Sequence, residues 1–355
     1  MKIVSIVGAR PQFIKCAPVS RILRSKFQEI LVHTGQHYDE DMSDVFFREL
    51  HIPAPDYNLN IGSETHGKQT GLMLSAIESV LQKEKPDVVL VYGDTNSTIA
   101  GGLAAAKMHI PVAHIEAGLR SYDRSMPEEI NRVLVDHISD LLFCPTETAV
   151  QNLLKEGVNK GVYNVGDVMV DALLCNKEIA SEKSDILSRF GLTDKNFILA
   201  TIHRPSNTDN AAHMKMIIQA FGESGQTILF PIHPRTRKYL KEYGYLGQLP
   251  KNIIAADPLG YIDMLQAMAK CKKVITDSGG VQKETYILGK PCITVRENTE
   301  WIETLEGGWN ILTGPDKNKI LDAIESKYPV CMRKSLFGEG DAAIKITEII
   351  EKFLK

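Results

Sequence analysis

Short apolar runs rich in Val and Ile alternate with longer segments of helical period along this chain, and that rhythm constrains the fold more than any other feature. Residues 2–7, 29–34, 88–92, 112–115 and 141–144 read as strands buried on both faces, because their apolar residues are continuous. Residues 11–25, 67–84, 95–109, 128–138 and 146–156 carry helical spacing between them. A second series of strand-like runs follows at 197–201, 227–231, 253–256, 273–276 and 292–295, again with helical segments between. Repetition of this kind predicts parallel sheets covered by helices. Two series predict an α/β protein of two doubly wound, Rossmann-like domains with a cleft between them. The expected limits are 1–168, with a helix at 342–355 crossing back to it, and 169–341. A length of 355 residues suits two domains.

Composition removes several classes. The 41 Lys+Arg against 44 Asp+Glu lack the basic surplus that contacts to a phosphate backbone need, so no nucleic-acid partner is expected. No stretch approaches the roughly 18 apolar residues of a membrane span, and the most apolar region, 99–115, is broken by Lys107, His109 and Pro111. The run 3–7 is too short for a signal-peptide core. Cys16, Cys144, Cys175, Cys271, Cys292 and Cys331 lack CxxC or Cys/His spacing, which fits reduced thiols better than disulfides or zinc. The expectation is a cytoplasmic protein.

Open parallel sheets bind ligands beyond the carboxyl ends of their strands. The residues following each strand therefore matter most. Gly8-Ala9-Arg10-Pro11 and Lys15 follow the first run; Gly93-Asp94-Thr95 follow 88–92; Glu116, Gly118 and Arg120 follow 112–115, ahead of Pro127-Glu128-Glu129. In the second series His203-Arg204 follow 197–201, His233, Arg235 and Arg237 follow 227–231, and Asp277-Ser278-Gly279-Gly280 follow 273–276. Gly279-Gly280 at a strand-to-helix turn suits either an anion at a helix N-terminus or simply a tight turn. Arg10, Lys15, His203 and Arg235 on the same edges favour the anion, and a diphosphate would engage all of them. Asp94, Glu116 and Glu128 at neighbouring strand ends would repel one another unless some hold protons, a situation that separates acid from base. Taken singly, Asp94 also reads as an N-cap and Glu128 as a first-turn acid, whereas Glu116 has no capping role.

Other patterns carry little. GxGxxG, GxxxxGK[ST] and HExxH are missing, so no dinucleotide, P-loop or zinc-hydrolase chemistry is supported and no cofactor or metal is expected. Asp39-Glu40-Asp41 is better explained as a helix start than as a metal site, and His66, His109 and His137 read as surface or packing residues. Trp301 and Trp309 read as packing residues.

Five strings make the chain recognisable. They are Gly8-Ala9-Arg10-Pro11-Gln12-Phe13-Ile14-Lys15, Gly93-Asp94-Thr95, His114-Ile115-Glu116-Ala117-Gly118-Leu119-Arg120, Pro127-Glu128-Glu129-Ile130-Asn131-Arg132 and Thr276-Asp277-Ser278-Gly279-Gly280-Val281-Gln282-Lys283-Glu284. In this order, and on to Gly338-Glu339-Gly340-Asp341, the chain resembles the non-hydrolysing UDP-N-acetylglucosamine 2-epimerases. The resemblance implies a GT-B-like fold, a homodimer, no cofactor, and interconversion of UDP-GlcNAc and UDP-ManNAc that feeds surface polysaccharide synthesis. It implies elimination of UDP to a 2-acetamidoglucal and re-addition with inverted C2. Carried over position by position, Asp94, Glu116 and Glu128 look like the acid–base set and His203 like a group touching sugar and diphosphate. Arg10, Ser278, Gly279 and Gly280, with Lys15 nearby, would hold the diphosphate; Glu284 would accept the ribose hydroxyls and Arg132 would contact the sugar.

The chain departs from the common pattern in three places. Ala9 and Gln12 stand where Thr and Glu are usual, and Pro205-Ser206 follow His203-Arg204 where Arg-Glu is usual. Relatives activated by a second substrate molecule use that Arg-Glu pair beside a Gln-His segment; Gln36-His37 is present here without it, so the resemblance does not extend to activation. Thirdly, Asn164-Val165-Gly166-Asp167-Val168-Met169, His233-Pro234-Arg235-Thr236-Arg237 and Thr299-Glu300-Trp301 resemble a branch acting on UDP-2,3-diacetamido-2,3-dideoxy-glucuronate. There His233, Arg235 or Arg237 would meet a uronate carboxylate, or else form a solvated loop. A glycosyltransferase on the same fold is the competing enzyme class, and three clustered acids argue against it.

Overall fold

The computed structural model describes residues 1–36, 53–193, 195–327, 329 and 331–355. They form two compact units, Met1–Cys175 with Phe337–Lys355, and Asn176–Leu336. His37 and Asp39-Glu40-Asp41 lie outside the described residues, as does the Arg10 side chain.

The first unit is built on seven strands: β1 (Lys2–Val7), β2 (Gln28–His33), β3 (Tyr57–Asn58), β4 (Val88–Tyr92), β5 (Val112–Ile115), β6 (Leu141–Cys144) and β7 (Val162–Asn164). All pair in parallel, in the order β3-β2-β1-β4-β5-β6-β7. Helices α1 (Arg10–Leu23), α2 (His66–Glu84), α3 (Asn96–Lys107), α4 (Pro127–Ile138) and α5 (Glu147–Lys155) alternate with them. Helix α6 (Val168–Lys183) carries the chain out of this unit.

The second unit repeats the plan with β8 (Ile198–Thr201), β9 (Ile228–Pro231), β10 (Ile253–Ala256), β11 (Lys273–Thr276), β12 (Cys292–Thr294) and β13 (Asn310–Leu312) in the order β10-β9-β8-β11-β12-β13, again all parallel. Its helices are α7 (Ile186–Arg189), α8 (Pro205–Thr208), α9 (Ala211–Glu223), α10 (Pro234–Glu242), α11 (Tyr261–Lys270), α12 (Gly279–Ile287) and α13 (Lys317–Glu325). Helix α14 (Ala342–Leu354) belongs to the first unit. Its first amides, those of Ala342 and Ala343, donate to the buried Asp171 carboxylate at 3.3 and 2.9 Å, and Lys26 bonds Glu351 at 2.7 Å.

Two parallel sheets interleaved with helices are the α/β class the alternation predicts. Strands β3, β7 and β13 were not legible in the sequence. Each has two or three residues at a sheet edge, partly exposed, and so lacks the continuous apolar run that marks a central strand. The central strands are buried because helices cover both faces. Val4, Ile6, Val89 and Val91 pack with Met73 and Ile77 of α2 and Ala100 and Ala104 of α3. Ile198, Phe230 and Ile275 pack with Met214, Ile217 and Phe221 of α9 and Ile320 of α13. Burying each large aliphatic side chain contributes about 1.5–3 kcal/mol. The buried cation Lys273 supports a helix end, its Nζ donating to the carbonyls of Ala323, Ile324 and Ser326 at 2.7–2.8 Å and so satisfying the last turn of α13.

Both sheets reverse strand order once, at β1/β4 and at β8/β11. Such a switch point opens a crevice beyond the strand ends, because the flanking helices diverge to opposite faces.

Candidate active site

In the first unit the switch point is stitched by Gln12, a fully buried residue two positions into α1. Its Oε1 accepts from the amides of Gly8 and Ala9 at 2.7 and 3.0 Å, and its Nε2 donates to the Tyr92 carbonyl at 2.7 Å. The loop after β1 is thus tied to the loop after β4. A glutamate here could not donate to Tyr92 while ionised, so the departure at position 12 has a local hydrogen-bonding consequence.

Lys15, one turn further along α1, bonds the Glu116 carboxylate. Burial by itself draws the Lys15 ammonium down, but the charge and hydrogen bond of Glu116, helped by Asp167 and Asp94, outweigh it and hold it above its ordinary value. Glu116 follows β5 with φ 71°, a left-handed backbone that non-glycine residues rarely adopt. Such strain, of order 1–3 kcal/mol, persists where surrounding structure over-determines it, and it clusters at functional sites.

Asp94, after β4, bonds Arg132 of α4. Asn131 on the same helix donates to the Asp94 carbonyl at 2.9 Å. Arg132 also reaches Glu129 at 2.9 Å, and its Nε is buried with no hydrogen-bond partner among the described residues. Glu129 accepts from Ser121 N, Ser121 Oγ and Tyr122 N, each at 2.9 Å. Burial pushes its carboxyl up, and these hydrogen bonds with the Arg132 charge bring it net below the ordinary range. Glu128 is exposed in the first turn of α4, and no hydrogen bond or ion pair engages its side chain among the described residues. The structure therefore places Asp94 and Glu116 on neighbouring strands, each with its own cation, and leaves Glu128 unengaged. The expected mutual repulsion gives way to two separate ion pairs.

In the second unit, Asp277 is fully buried after β11. It accepts from the His203 amide at 3.0 and 3.1 Å, the Arg204 amide at 2.9 Å and Asn207 Nδ2 at 3.0 Å. This fastens the loop after β8 to the end of β11. The His203 ring lies 5.4 Å from that of His233. His233 caps α10 by accepting from the Arg235 amide at 3.2 Å; burial first, then the charge of His203, lowers its imidazole below the usual range. Arg235 is bonded to Asp209 and Arg237 to Asp257, the latter at 2.6 Å.

Ser278 stands at the N-cap position of α12 without a side-chain capping bond, and its amide is already given to Thr276 Oγ1 at 3.0 Å. A Cβ on Gly280 would meet open space, whereas one on Gly279 would lie 1.9 Å from Glu300 Oε1. Arg296 holds that carboxylate at 2.8 Å. Glu284, one turn along, is half-buried, and no hydrogen bond or ion pair engages its carboxylate among the described residues. Desolvation, opposed by Lys283, pushes its carboxyl up to about 7. Trp301 Nε1 donates to the Gly279 carbonyl at 2.9 Å, and the Lys283 ammonium lies 4.8 Å above the indole.

Several of these residues escaped the sequence reading. Gln12 stood inside a quoted string without an assigned role, and Glu129 and Asp277 read as helix or strand-end acids. Their partners lie far along the chain, beyond any local pattern.

The family model for UDP-N-acetylglucosamine 2-epimerase matches residues 21–351. A Methanococcus maripaludis protein described as a UDP-N-acetylglucosamine 2-epimerase homolog is 56% identical over 99% of both chains. The UDP-2,3-diacetamido-2,3-dideoxy-D-glucuronate 2-epimerase of Pseudomonas aeruginosa is 46% identical over 99% of this chain and 100% of its own. The structure of the Methanocaldococcus jannaschii UDP-GlcNAc 2-epimerase in complex with UDP-GlcNAc and UDP is similar with TM-score 0.82 and 47% identity, covering 99% of this chain and 100% of that one.

Proposed function

Because the chain belongs to the UDP-N-acetylglucosamine 2-epimerase family, we propose that it interconverts UDP-N-acetylglucosamine and UDP-N-acetylmannosamine. A base removes the C2 proton; the C2–H electrons become the C1–C2 double bond and the C1–O pair leaves with UDP. Re-addition of UDP with protonation of C2 on the opposite face gives the epimer. The observation that carries this reading is the strained Glu116, paired with Lys15 one strand away from the Asp94–Arg132 pair. Two anchored carboxylates at one switch point suit proton transfer on opposite faces of a ring. Asp94, Glu116 and Glu128 are assigned to the C2 proton, and Arg132 to the sugar. Arg10, Lys15, His203, His233 and the Ser278-Gly279-Gly280 turn are assigned to the diphosphate and its adjoining sugar, Glu284 to the ribose hydroxyls. A homodimer in a reducing cytoplasm completes the proposal, and the six described cysteines are free thiols.

The diacetamido-glucuronate is the second reading, favoured by the Pseudomonas relative. Its extra carboxylate needs an unengaged cation. Arg235 and Arg237 each have a carboxylate partner, and His233 is shifted toward its neutral form, so the neutral acetamido sugar is preferred. Incubation with each sugar in deuterated water decides. Deuterium at C2 of UDP-GlcNAc supports the first reading, deuterium only in the uronate supports the second, and incorporation into neither sinks both.

A further inference from the structure

Behind the turns that carry Asp94 and Glu116 lies His114, the third residue of β5, with 0% exposure. Its Nε2 is 2.7 Å from the Gly93 carbonyl oxygen and its Nδ1 is 2.8 Å from Asp136 Oδ1. A carbonyl oxygen only accepts, so Nε2 carries a proton. Asp136, on α4 and 1% exposed, accepts through Oδ2 from the Gly118 amide at 3.0 Å and from Arg120 Nη1 at 2.7 Å. Burial would raise its carboxyl, but the hydrogen bond and charge of His114, with Arg120, bring it below the ordinary range. Asp136 Oδ1 is thus the partner of Nδ1, and both ring nitrogens are hydrogen-bonded.

We infer that His114 is a positioning residue whose buried ring, hydrogen-bonded at both nitrogens, ties the Gly93-Asp94 turn, through Asp136, to the Ala117-Gly118 turn beside Glu116. Its two hydrogen bonds set the separation between the two carboxylates, which lie on loops 22 positions apart in sequence. A buried carboxylate is costly without partners, and here His114, Gly118 and Arg120 supply them to Asp136. Arg120 in turn bonds Glu156 at 2.7 Å, and Glu156 lies 3.3 Å from His137, so the network runs outward to the surface. The Cys144 thiol on β6, which also neighbours Asp136, is pushed up to about 12 by burial.

The role in turnover rests on the epimerase reading; the His114 hydrogen bonds do not. Long-range proton–nitrogen NMR of the full-length 15N-histidine-labelled protein should find His114 Nε2 protonated, as its bond to the Gly93 carbonyl requires. An unprotonated Nε2 overturns the inference whatever the activity. His114→Gln and Asp136→Asn should lower kcat on UDP-GlcNAc about 10- to 100-fold, with KM and the affinity for UDP changed by less than about 3-fold. Comparable losses in kcat and in UDP affinity would signal general damage and count against positioning, and unchanged kcat in a folded His114→Gln protein would remove the positioning role. Failure of the wild-type protein to exchange deuterium at C2 would count against the epimerase reading and leave the NMR result standing.

Discussion

The Lys15 ammonium is bonded to the Glu116 carboxylate across 101 residues of sequence, joining the first helix of the chain to the end of its fifth strand. The pair is shielded from water, and it belongs to a residue whose backbone is held in a left-handed conformation. Strain, charge pairing and a switch point coincide there.

Glu116→Gln should therefore lower the rate of C2 deuterium exchange by about 10²–10⁴-fold while UDP still binds. Lys15 loses its main counter-charge in this variant and keeps only the weaker pull of Asp167 and Asp94 against burial, so its ammonium becomes more acidic. In the wild-type protein the raised Lys15 value means that the stability of the pair is fully present below about pH 10.5 and is lost only as the pH climbs above the folded value. Thermal melts between pH 6 and 9 should show no loss from this pair. Exchange at the wild-type rate in Glu116→Gln would remove Glu116 from the acid–base set.

Glu284 gives the opposite sign. Its carboxyl titrates near 7 in the folded chain because it is desolvated, against about 4.5 when exposed. Below about pH 4.5 it is protonated in both states and costs nothing. Between that pH and 7 the folded state resists ionisation, so stability falls as pH rises, by roughly 1–3 kcal/mol in all. Glu284→Gln should raise the melting temperature at pH 8 and leave it unchanged at pH 4. UDP affinity should rise with pH through 7 in the wild type and be weak and flat in the variant, as isothermal titration would show. A wild-type affinity independent of pH would separate Glu284 from the ribose.

Adjacent glycines at the start of α12 predict contrasting variants. A methyl on Gly280 meets nothing in the empty protein, so Gly280→Ala should keep its stability and lose UDP affinity about 10-fold or more if the diphosphate lies against it. Gly279→Ala would drive a Cβ against Glu300 and break its seat beside Arg296, lowering stability by about 1–3 kcal/mol. Undiminished UDP binding by Gly280→Ala would move the diphosphate elsewhere.

Arg235→Met separates the two candidate sugars. Its guanidinium is engaged by Asp209, so kcat/KM on UDP-GlcNAc should change by less than about 3-fold. A loss of 100-fold or more confined to the diacetamido-glucuronate would show that Arg235 leaves Asp209 for a substrate carboxylate.

Much of the molecule was legible without coordinates. Continuous Val/Ile runs marked the central strands because burial on both faces is written locally in each run, and the residues following them pointed to Asp94, Glu116, His203 and Ser278. The short edge strands β3, β7 and β13 left no such trace. Nor could spacing tell that the acids at 94 and 116 are separately neutralised, or that Glu129 serves the loop at 121–122 while its neighbour Glu128 stands unengaged.

The amino-acid sequence by itself determined the class of fold, the strand ends where chemistry would sit and, through ordered strings, the family. Tertiary structure decided which charges meet. Strand order β3-β2-β1-β4-β5 sets Lys15 against Glu116 and, with α4 packed beside it, Arg132 against Asp94 and Asp136 against His114. That order follows from how helices cover a twisted sheet, a property of the assembled chain that no local window contains. Glu116's left-handed backbone belongs to the same category: nothing in its neighbours requires φ of 71°, and the partners around it hold it there.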